Sequence, residues 1–181
     1  MIQELKVGTS RVGVLIGKGG ATKKELESKT HTAISIDSKE GLVKVEGAEE
    51  NAIPLLRAVE IINAINAGFS PERAFEMIED EDLLLDIIDL SRAADNPKQL
   101  DRLRGRIIGK DGRAREQIEN MTDVDLSVFG HTVALIGYPE QMKVARAAID
   151  MLIEGVPHEN VFAFLDKKKK EAKQDMISYY Y

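Results

Sequence analysis

Two short stretches of the 181-residue chain combine the residue types needed to hold an anion: Leu15-Ile16-Gly17-Lys18-Gly19-Gly20 and Ile107-Ile108-Gly109-Lys110-Asp111-Gly112. Glycine permits a sharp turn and lets a ligand approach the backbone with no Cβ in the way. Where such a turn runs straight into a helix, the free N–H groups of the first helical turn and the positive end of the helix dipole converge on one spot suited to phosphate. Lys23 and Lys24 follow the first stretch, and Arg113 and Arg115 follow the second. Cations at a helix start are unfavourable by about 0.3–1 kcal/mol each, a cost that a bound polyanion reverses. Two plainer alternatives stand beside this one. Each GXXG taken alone is compatible with an ordinary interhelical turn, and Lys23, Lys24 and Arg115 are spaced to pair with Glu27 and Glu119 along their helices.

The spacing excludes the common nucleotide-binding loops. A P-loop needs G-x-x-x-x-G-K followed by Ser or Thr, whereas Gly13 to Gly17 and Gly105 to Gly109 are one residue too short, with Gly19 or Asp111 after the lysine. The dinucleotide pattern fails at Thr22, which stands where its last glycine belongs. With no cysteine and only His31, His131 and His158, neither a disulfide framework nor a tetrahedral zinc site is expected. No catalytic constellation emerges, so neither an enzyme nor a cofactor or metal is expected. The carboxylates of residues 76–89 read as a solvated helix end and linker.

The elements that must position these loops appear twice. At a shift of 92 residues Gly17 meets Gly109, Leu26 meets Ile118, Glu27 meets Glu119, Thr30 meets Thr122, Ile34 meets Leu126 and Ile36 meets Val128. Further on, Gly68, Glu72 and Phe75 correspond to Gly155, Glu159 and Phe162. In the first copy the pattern predicts a strand over 2–7, a short apolar helix over 11–16, a polar helix over 21–29 and a hairpin over 33–47. A long helix over 49–66 follows, with a broad apolar stripe. The second copy predicts a strand over 84–90, an insertion over 91–100, helices over 101–108 and 113–121, a hairpin over 124–137 and a helix over 139–154. Each copy carries one appended helix, over 71–81 and over 158–173.

Composition bounds the rest. A chain with 43% hydrophobic and 31% charged residues is globular. Its net charge of −6 argues against coating nucleic acid by bulk charge. The charge is uneven: residues 1–96 hold 11 cations and 18 anions, residues 97–181 hold 14 and 13. No run approaches the roughly 18 apolar residues of a membrane span, and residues 1–10 lack a signal core, so a cytoplasmic protein with no membrane partner is expected.

A strand and helix leading to Leu15-Ile16-Gly17-Lys18-Gly19-Gly20, then a helix, a hairpin and a long helix, resembles the type I KH domain, whose GXXG loop clamps single-stranded nucleic acid. The run Gly105-Arg106-Ile107-Ile108-Gly109-Lys110-Asp111-Gly112-Arg113-Ala114-Arg115, with Ile118, Glu119, Asn120 and Thr122, is similar to the signature of the two-KH ribosome-assembly factors known in eukaryotes as the partner of the Nob endonuclease. The resemblance extends from Ile2 to about Leu165, and the intact first loop matches the archaeal branch of that family. It implies an α+β fold of two tandem type I KH domains (β-α-α-β-β-α), divided as 1–82, 83–157 and a basic C-terminal segment, 158–181.

The resemblance also implies RNA contacts at Gly17, Lys18, Gly19, Gly20, Lys23, Lys24, Arg104, Arg106, Gly109, Lys110, Gly112, Arg113 and Arg115. Residues 98–115, with seven cations against Asp101 and Asp111, become the main RNA-facing surface. Aliphatic grooves would be lined by Val14, Ile16, Leu26 and Ile36, and by Ile107, Ile108, Ile118 and Val128, unless these are simply core. Two departures stand out. Lys23 and Arg115 occupy a position that is aliphatic in many KH domains, and Asp111 places a carboxylate inside the second loop, which leaves RNA, a protein or a structured RNA junction open as its occupant. The implied ligand is small-subunit ribosomal RNA near its 3′ end, with a processing endonuclease and a translation initiation factor subunit as partners. A protein-recruiting KH scaffold is the alternative. The lysines at 167–170 and 173 fit either an RNA grip or a solvated end, and Tyr179 to Tyr181 have no assigned role.

Overall fold

Alternation along the hairpins sets the architecture. In the first copy Ile34, Val43 and Val45 are buried while Ala33, Ser35 and Leu42 face outward, so the sheet has one face for helices to cover. The computed structural model describes residues 1–50 and 52–181. Its first unit, Met1–Leu85, runs β1 (Ile2–Lys6), α1 (Thr9–Ile16), α2 (Ala21–Thr30), β2 (Ala33–Asp37), β3 (Leu42–Glu46), α3 (Ala52–Asn66) and α4 (Pro71–Glu79). The second unit, Asp86–Tyr181, follows the same plan. It takes up β4 (Leu84–Asp89), then α5 (Pro97–Ile108), α6 (Arg113–Thr122), β5 (Asp125–Phe129), β6 (Thr132–Gly137), α7 (Pro139–Glu154) and α8 (His158–Tyr180). This is the order expected of tandem type I KH domains, each with one further helix.

Each sheet is three-stranded, ordered β1-β3-β2 and β4-β6-β5. β3 pairs antiparallel with both neighbours, Glu46 lying opposite Ile2 on one side and Ala33 on the other. β2 is therefore an edge strand, lying beside α2. Leu15, Leu26, Val43, Val45, Leu55, Ile61, Ile62 and Ile65 are fully buried in the first unit. Ile107, Ile118, Leu126, Leu135, Ile149 and Leu152 belong to the core of the second. Burying each such side chain contributes about 1.5–3 kcal/mol.

Several boundaries differ from the sequence pattern for local reasons. Residues 49 and 50 form a turn and residue 51 lies outside the described residues, so the described part of α3 begins at Ala52. α5 begins at Pro97, not 101. Asn96 Oδ1 accepts the Gln99 N–H at 2.9 Å and Pro97 sits in the first turn, a start signal inside what was read as an insertion. Leu90–Ala93, read partly as strand and partly as insertion, is a 3₁₀ turn. α4 stops at Glu79. α8 runs to Tyr180, well past residue 173, because nothing from His158 onward is Gly or Pro. Both appended helices pack on their own units, α4 on α2 and α3, and α8 on α6 and α7. Val161 and Leu165 are buried, so the start of the expected C-terminal segment is core.

The acidic run of residues 76–89 is not simply solvated linker. Glu79 Oε1 lies 3.2 Å from Lys29 Nζ, tying α4 to α2 and raising the Lys29 pKa. Asp86 Oδ2 meets Arg146 Nη1 at 2.6 Å. Asp89 Oδ1 accepts the Ser91 hydroxyl at 2.6 Å and its N–H at 3.0 Å, and His131 Nδ1 lies 3.0 Å away. Hydrogen bonding from Ser91, with a smaller contribution from His131, lowers the Asp89 pKa to about 2. An unfolded Asp titrates near 3.9, so this anchor contributes fully above about pH 4 and is lost as pH falls towards 2. Carboxyl NMR titration should place the Asp89 midpoint near 2, and Ser91→Ala should move it towards the ordinary value. A midpoint unchanged by that substitution contradicts the arrangement.

Candidate nucleic-acid interface

The two glycine turns are superimposable in plan. α1 ends at Ile16, and Gly17 takes φ 75° and ψ 173°; α5 ends at Ile108, and Gly109 takes φ 74° and ψ 176°. A Cβ on Gly17 would lie 2.7 Å from Thr22 N, and one on Gly109 would lie 2.8 Å from Ala114 N. Glycine is therefore required twice over, for the backbone angle and for the approach of the next helix. The third and fourth turn residues also have positive φ: Gly19 61° and Gly20 78° in one copy, Asp111 56° and Gly112 73° in the other. Aspartate is among the few residues that tolerate this region, which explains how Asp111 can replace a glycine. Gly20 and Gly112 precede α2 and α6 without any side-chain cap. Within each turn the first helical N–H, of Ala21 or Arg113, bonds back to Lys18 O or Lys110 O, so the positive end of each helix sits beside the turn with no side chain over it.

The cations around these turns divide into two sets. Lys18, Lys24, Lys110 and Arg113 are exposed and form no ion pair with described residues. Lys23 pairs with Glu27 at 3.4 Å, and Glu27 Oε1 also accepts the Ile34 N–H at 2.7 Å, so this lysine is tethered to the start of β2. Arg115 Nε lies 3.4 Å from Glu119 Oε1 without hydrogen-bond alignment. The intrahelical alternative therefore holds for Lys23 and Arg115 and fails for Lys24. Around the second turn Asp111 and Glu116 offset Lys110 and Arg113, whereas the first turn of α2 carries no acid.

Arg106, expected at the RNA surface, has another task. Its Nε donates to Leu152 O at 3.0 Å and its Nη2 to Val156 O at 2.6 Å, closing the C-terminal end of α7. Arg11 does the same in the first unit, donating to Ile65 O and Phe69 O at 2.8 Å each. The acceptors correspond between the repeats, while the donors differ by one helical turn. Burial lowers the Arg11 pKa. Arg104 is half-buried, its Nη1 3.8 Å from Asp101 Oδ1.

The groove residues divide as well. Leu26, Ile107 and Ile118 have no exposed surface; they are core, because their helices turn them onto the sheet. Val14, Ile16, Ile36, Ile108 and Val128 are half-buried and can line a groove between α1, the turn, α2 and the edge strand β2, and its counterpart in the second unit. One pair went unread in the sequence. Gly13 and Gly105 occupy equivalent mid-helix positions, and a Cβ on either would meet nothing within 4 Å. A helix-interior glycine costs about 0.5–1 kcal/mol relative to alanine. With no internal reason for the residue, the bare helix face is open to a close approach from outside. The 92-residue shift that aligned the loops would have found the pair.

Family comparisons match these features. A KH-domain model matches residues 2–64, and a model described as eukaryotic type KH-domain (KH-domain type I) matches residues 84–170. A KH domain-containing protein of Methanocaldococcus jannaschii is 38% identical over 175 residues, covering 96% of this chain and 76% of its own. The chain belongs to the PNO1 family of KH proteins. The RNA-binding protein pno1 of Dictyostelium discoideum is 29% identical, covering 68% of this chain and 52% of that protein. The chain thus spans about half the length of this eukaryotic PNO1 relative. Dim2p from Pyrococcus horikoshii OT3 superposes with a TM-score of 0.86 at 43% identity, covering 92% of this chain and 99% of that one. A chain of the a/eIF2alpha-aDim2p-rRNA complex from the same organism gives 0.88 at 43% identity, covering 94% and 95%.

Substitutions at two positions separate structural from binding roles in this PNO1-family chain. Arg106→Met removes two charge-assisted bonds and should cost about 1.5–3 kcal/mol in denaturant unfolding, while RNA affinity by fluorescence anisotropy stays within about twofold. Gly105→Ala should stabilise α5 by about 0.5–1 kcal/mol, whereas Gly105→Leu should weaken RNA binding by filling the open face. Full RNA affinity in Gly105→Leu would show that nothing approaches there.

Proposed function

We propose that this protein is a non-enzymatic RNA-binding factor of pre-rRNA processing and small-subunit assembly, which holds single-stranded RNA at both GXXG turns. The observation that carries this reading is the repeated site: an uncapped helix start behind a glycine turn, with exposed, unpaired Lys18 and Lys24 in one copy and Lys110 and Arg113 in the other. Exposed cations placed where the helix dipole disfavours them are compensated by phosphate. Gly17, Gly19, Gly20, Gly109 and Gly112 shape the turns, and the half-buried Ile16, Ile36, Ile108 and Val128 offer apolar contact to bases.

The ribosomal target is supported by the relatives, among them a pre-rRNA-processing protein pno1 of Emericella nidulans and the P. horikoshii complex that contains rRNA. The a/eIF2alpha in that complex supports an initiation-factor subunit as a partner. The 3′ region of small-subunit rRNA, a processing endonuclease and a cytoplasmic location complete the proposal. Among the described residues no group of three or more His, Asp or Glu side chains could hold a metal ion, and no helix is long and apolar enough to cross a membrane.

Lys18→Asp combined with Gly19→Asp tests the first site, and Lys110→Asp the second. The Gly19 change is tolerable because Asp111 already occupies the equivalent backbone conformation. Each variant should lower affinity for a single-stranded fragment from the rRNA 3′ end by about tenfold and flatten the salt dependence by roughly 0.7 per lost phosphate contact. Thermal unfolding should stay unchanged. Parent-like binding in both variants would overturn the reading, and a protein partner retained by both after nuclease treatment would favour the scaffold instead.

A further inference from the structure

The C-terminal half of α8 serves no core. Val161 and Leu165 are buried against α6 and α7, yet every residue from 166 to 181 is exposed. The helix continues to Tyr180, roughly 22 Å beyond Leu165 at 1.5 Å per residue. A free helix of that length is marginal in water unless something covers it.

Its composition says what kind of surface would do so. Lys168 pairs with Glu171 at 3.4 Å, and Lys170 with Asp166 at 2.9 Å. Lys167, Lys169 and Lys173 have no ion-pair partner among the described residues. At the tip Tyr179, Tyr180 and Tyr181 are 86%, 77% and 104% exposed. The first two rings lie edge to face with centroids 5.6 Å apart, leaving their outer faces open. At about 100° per residue, the stripe that buries Val161 and Leu165 continues through Lys168, Ala172, Met176 and Tyr179, and Lys169, Tyr180 and Lys173 lie together on the side next to it.

We propose that this half of α8 is a further RNA-contacting element: Lys169 and Lys173 meet phosphates, and the tyrosine rings stack on unpaired bases of RNA that leaves the second KH groove. The inference rests on the RNA-binding reading above. Continuity supports it. α8 starts beside the last turn of α5, where His158 Nε2 lies 2.8 Å from Arg106 O, and packs along α6, so its exposed half extends outward from the unit that carries the second glycine turn. Charge complementarity supports it too. Lys169, Tyr180 and Lys173 fall at about 80°, 100° and 120° round the helix from Val161, so ammonium groups flank an aromatic ring on one side, as on single-strand-binding surfaces.

The test uses the full chain and two single-stranded RNAs, one of about five nucleotides, enough for one KH groove, and one of about 25. The variants are Lys169→Gln with Lys173→Gln, and Tyr179→Ser with Tyr180→Ser and Tyr181→Ser. Both should fold as the parent does and bind the short RNA within about twofold of it. Both should bind the long RNA at least fivefold more weakly; only the lysine variant should also flatten the salt dependence, by about 1.4, and Phe in place of each Tyr should restore affinity. Unchanged affinity for the long RNA in either variant overturns the role given to those side chains, and loss of a protein partner instead would reassign the surface. If the glycine-turn variants bind both RNAs normally, the RNA-binding reading itself fails; if they lose both while the α8 variants keep them, only this inference does.

Discussion

One backbone requirement governs each unit: the first glycine of the turn, Gly17 or Gly109, must adopt a positive φ while the following helix closes to within a Cβ's reach of it. Any side chain there would collide with the backbone of Thr22 or Ala114. The consequence is a joint in which one helix ends and the next begins almost at the same point, with no residue available to cap the second. No side chain caps the start of that second helix. The binding surface is thus made by leaving out a cap and a Cβ, and the rest of the unit holds the two helices at the required angle.

That holding task explains the arginines. Arg11 and Arg106 fasten α1 and α5 to the C-terminal ends of α3 and α7 by donating to one carbonyl in the last turn and one just beyond it. They lie on the helices that lead into the turns, so they brace the joint. A cation near a GXXG turn is therefore not by its presence a phosphate ligand. Those with carbonyl or carboxylate partners, Arg106, Lys23 and Arg115, are at least partly committed to the fold. Lys18, Lys24, Lys110 and Arg113 are not. The two turns also differ in field: the first is purely cationic, while Asp111 and Glu116 temper the second. The repeats share a geometry and diverge in the strength with which they attract a polyanion.

The acidity of the first 96 residues acquires a structural meaning in the same way. Glu79, Asp86 and Asp89 secure α4 and the course of β4 through Lys29, Arg146 and Ser91. These carboxylates fasten elements to one another, and residues 1–96 carry the chain's excess of negative charge. Local basic sites on an acidic chain select a place for RNA and not a coating of it.

Much of this was legible in the residues alone. The repeat, the element order, the hairpins and the glycine turns follow from periodicities and from glycine's freedom, which are local properties of a chain. The start of α5 was legible too, in Asn96 and Pro97, but was read as an insertion. What only the tertiary structure decided is which side chains have partners. Leu26, Ile107 and Ile118 resemble Ile16, Ile36 and Ile108 in type and in nearness to the turns, yet burial separates them. Arg106 and Arg113 are the same residue seven positions apart, one consumed by carbonyls 46 and 50 residues away and the other free. Hydrogen bonds and burial depend on atoms brought together from distant parts of the chain. The sequence by itself determined that an anion could be held at two places; the fold decided which cations remain available to hold it.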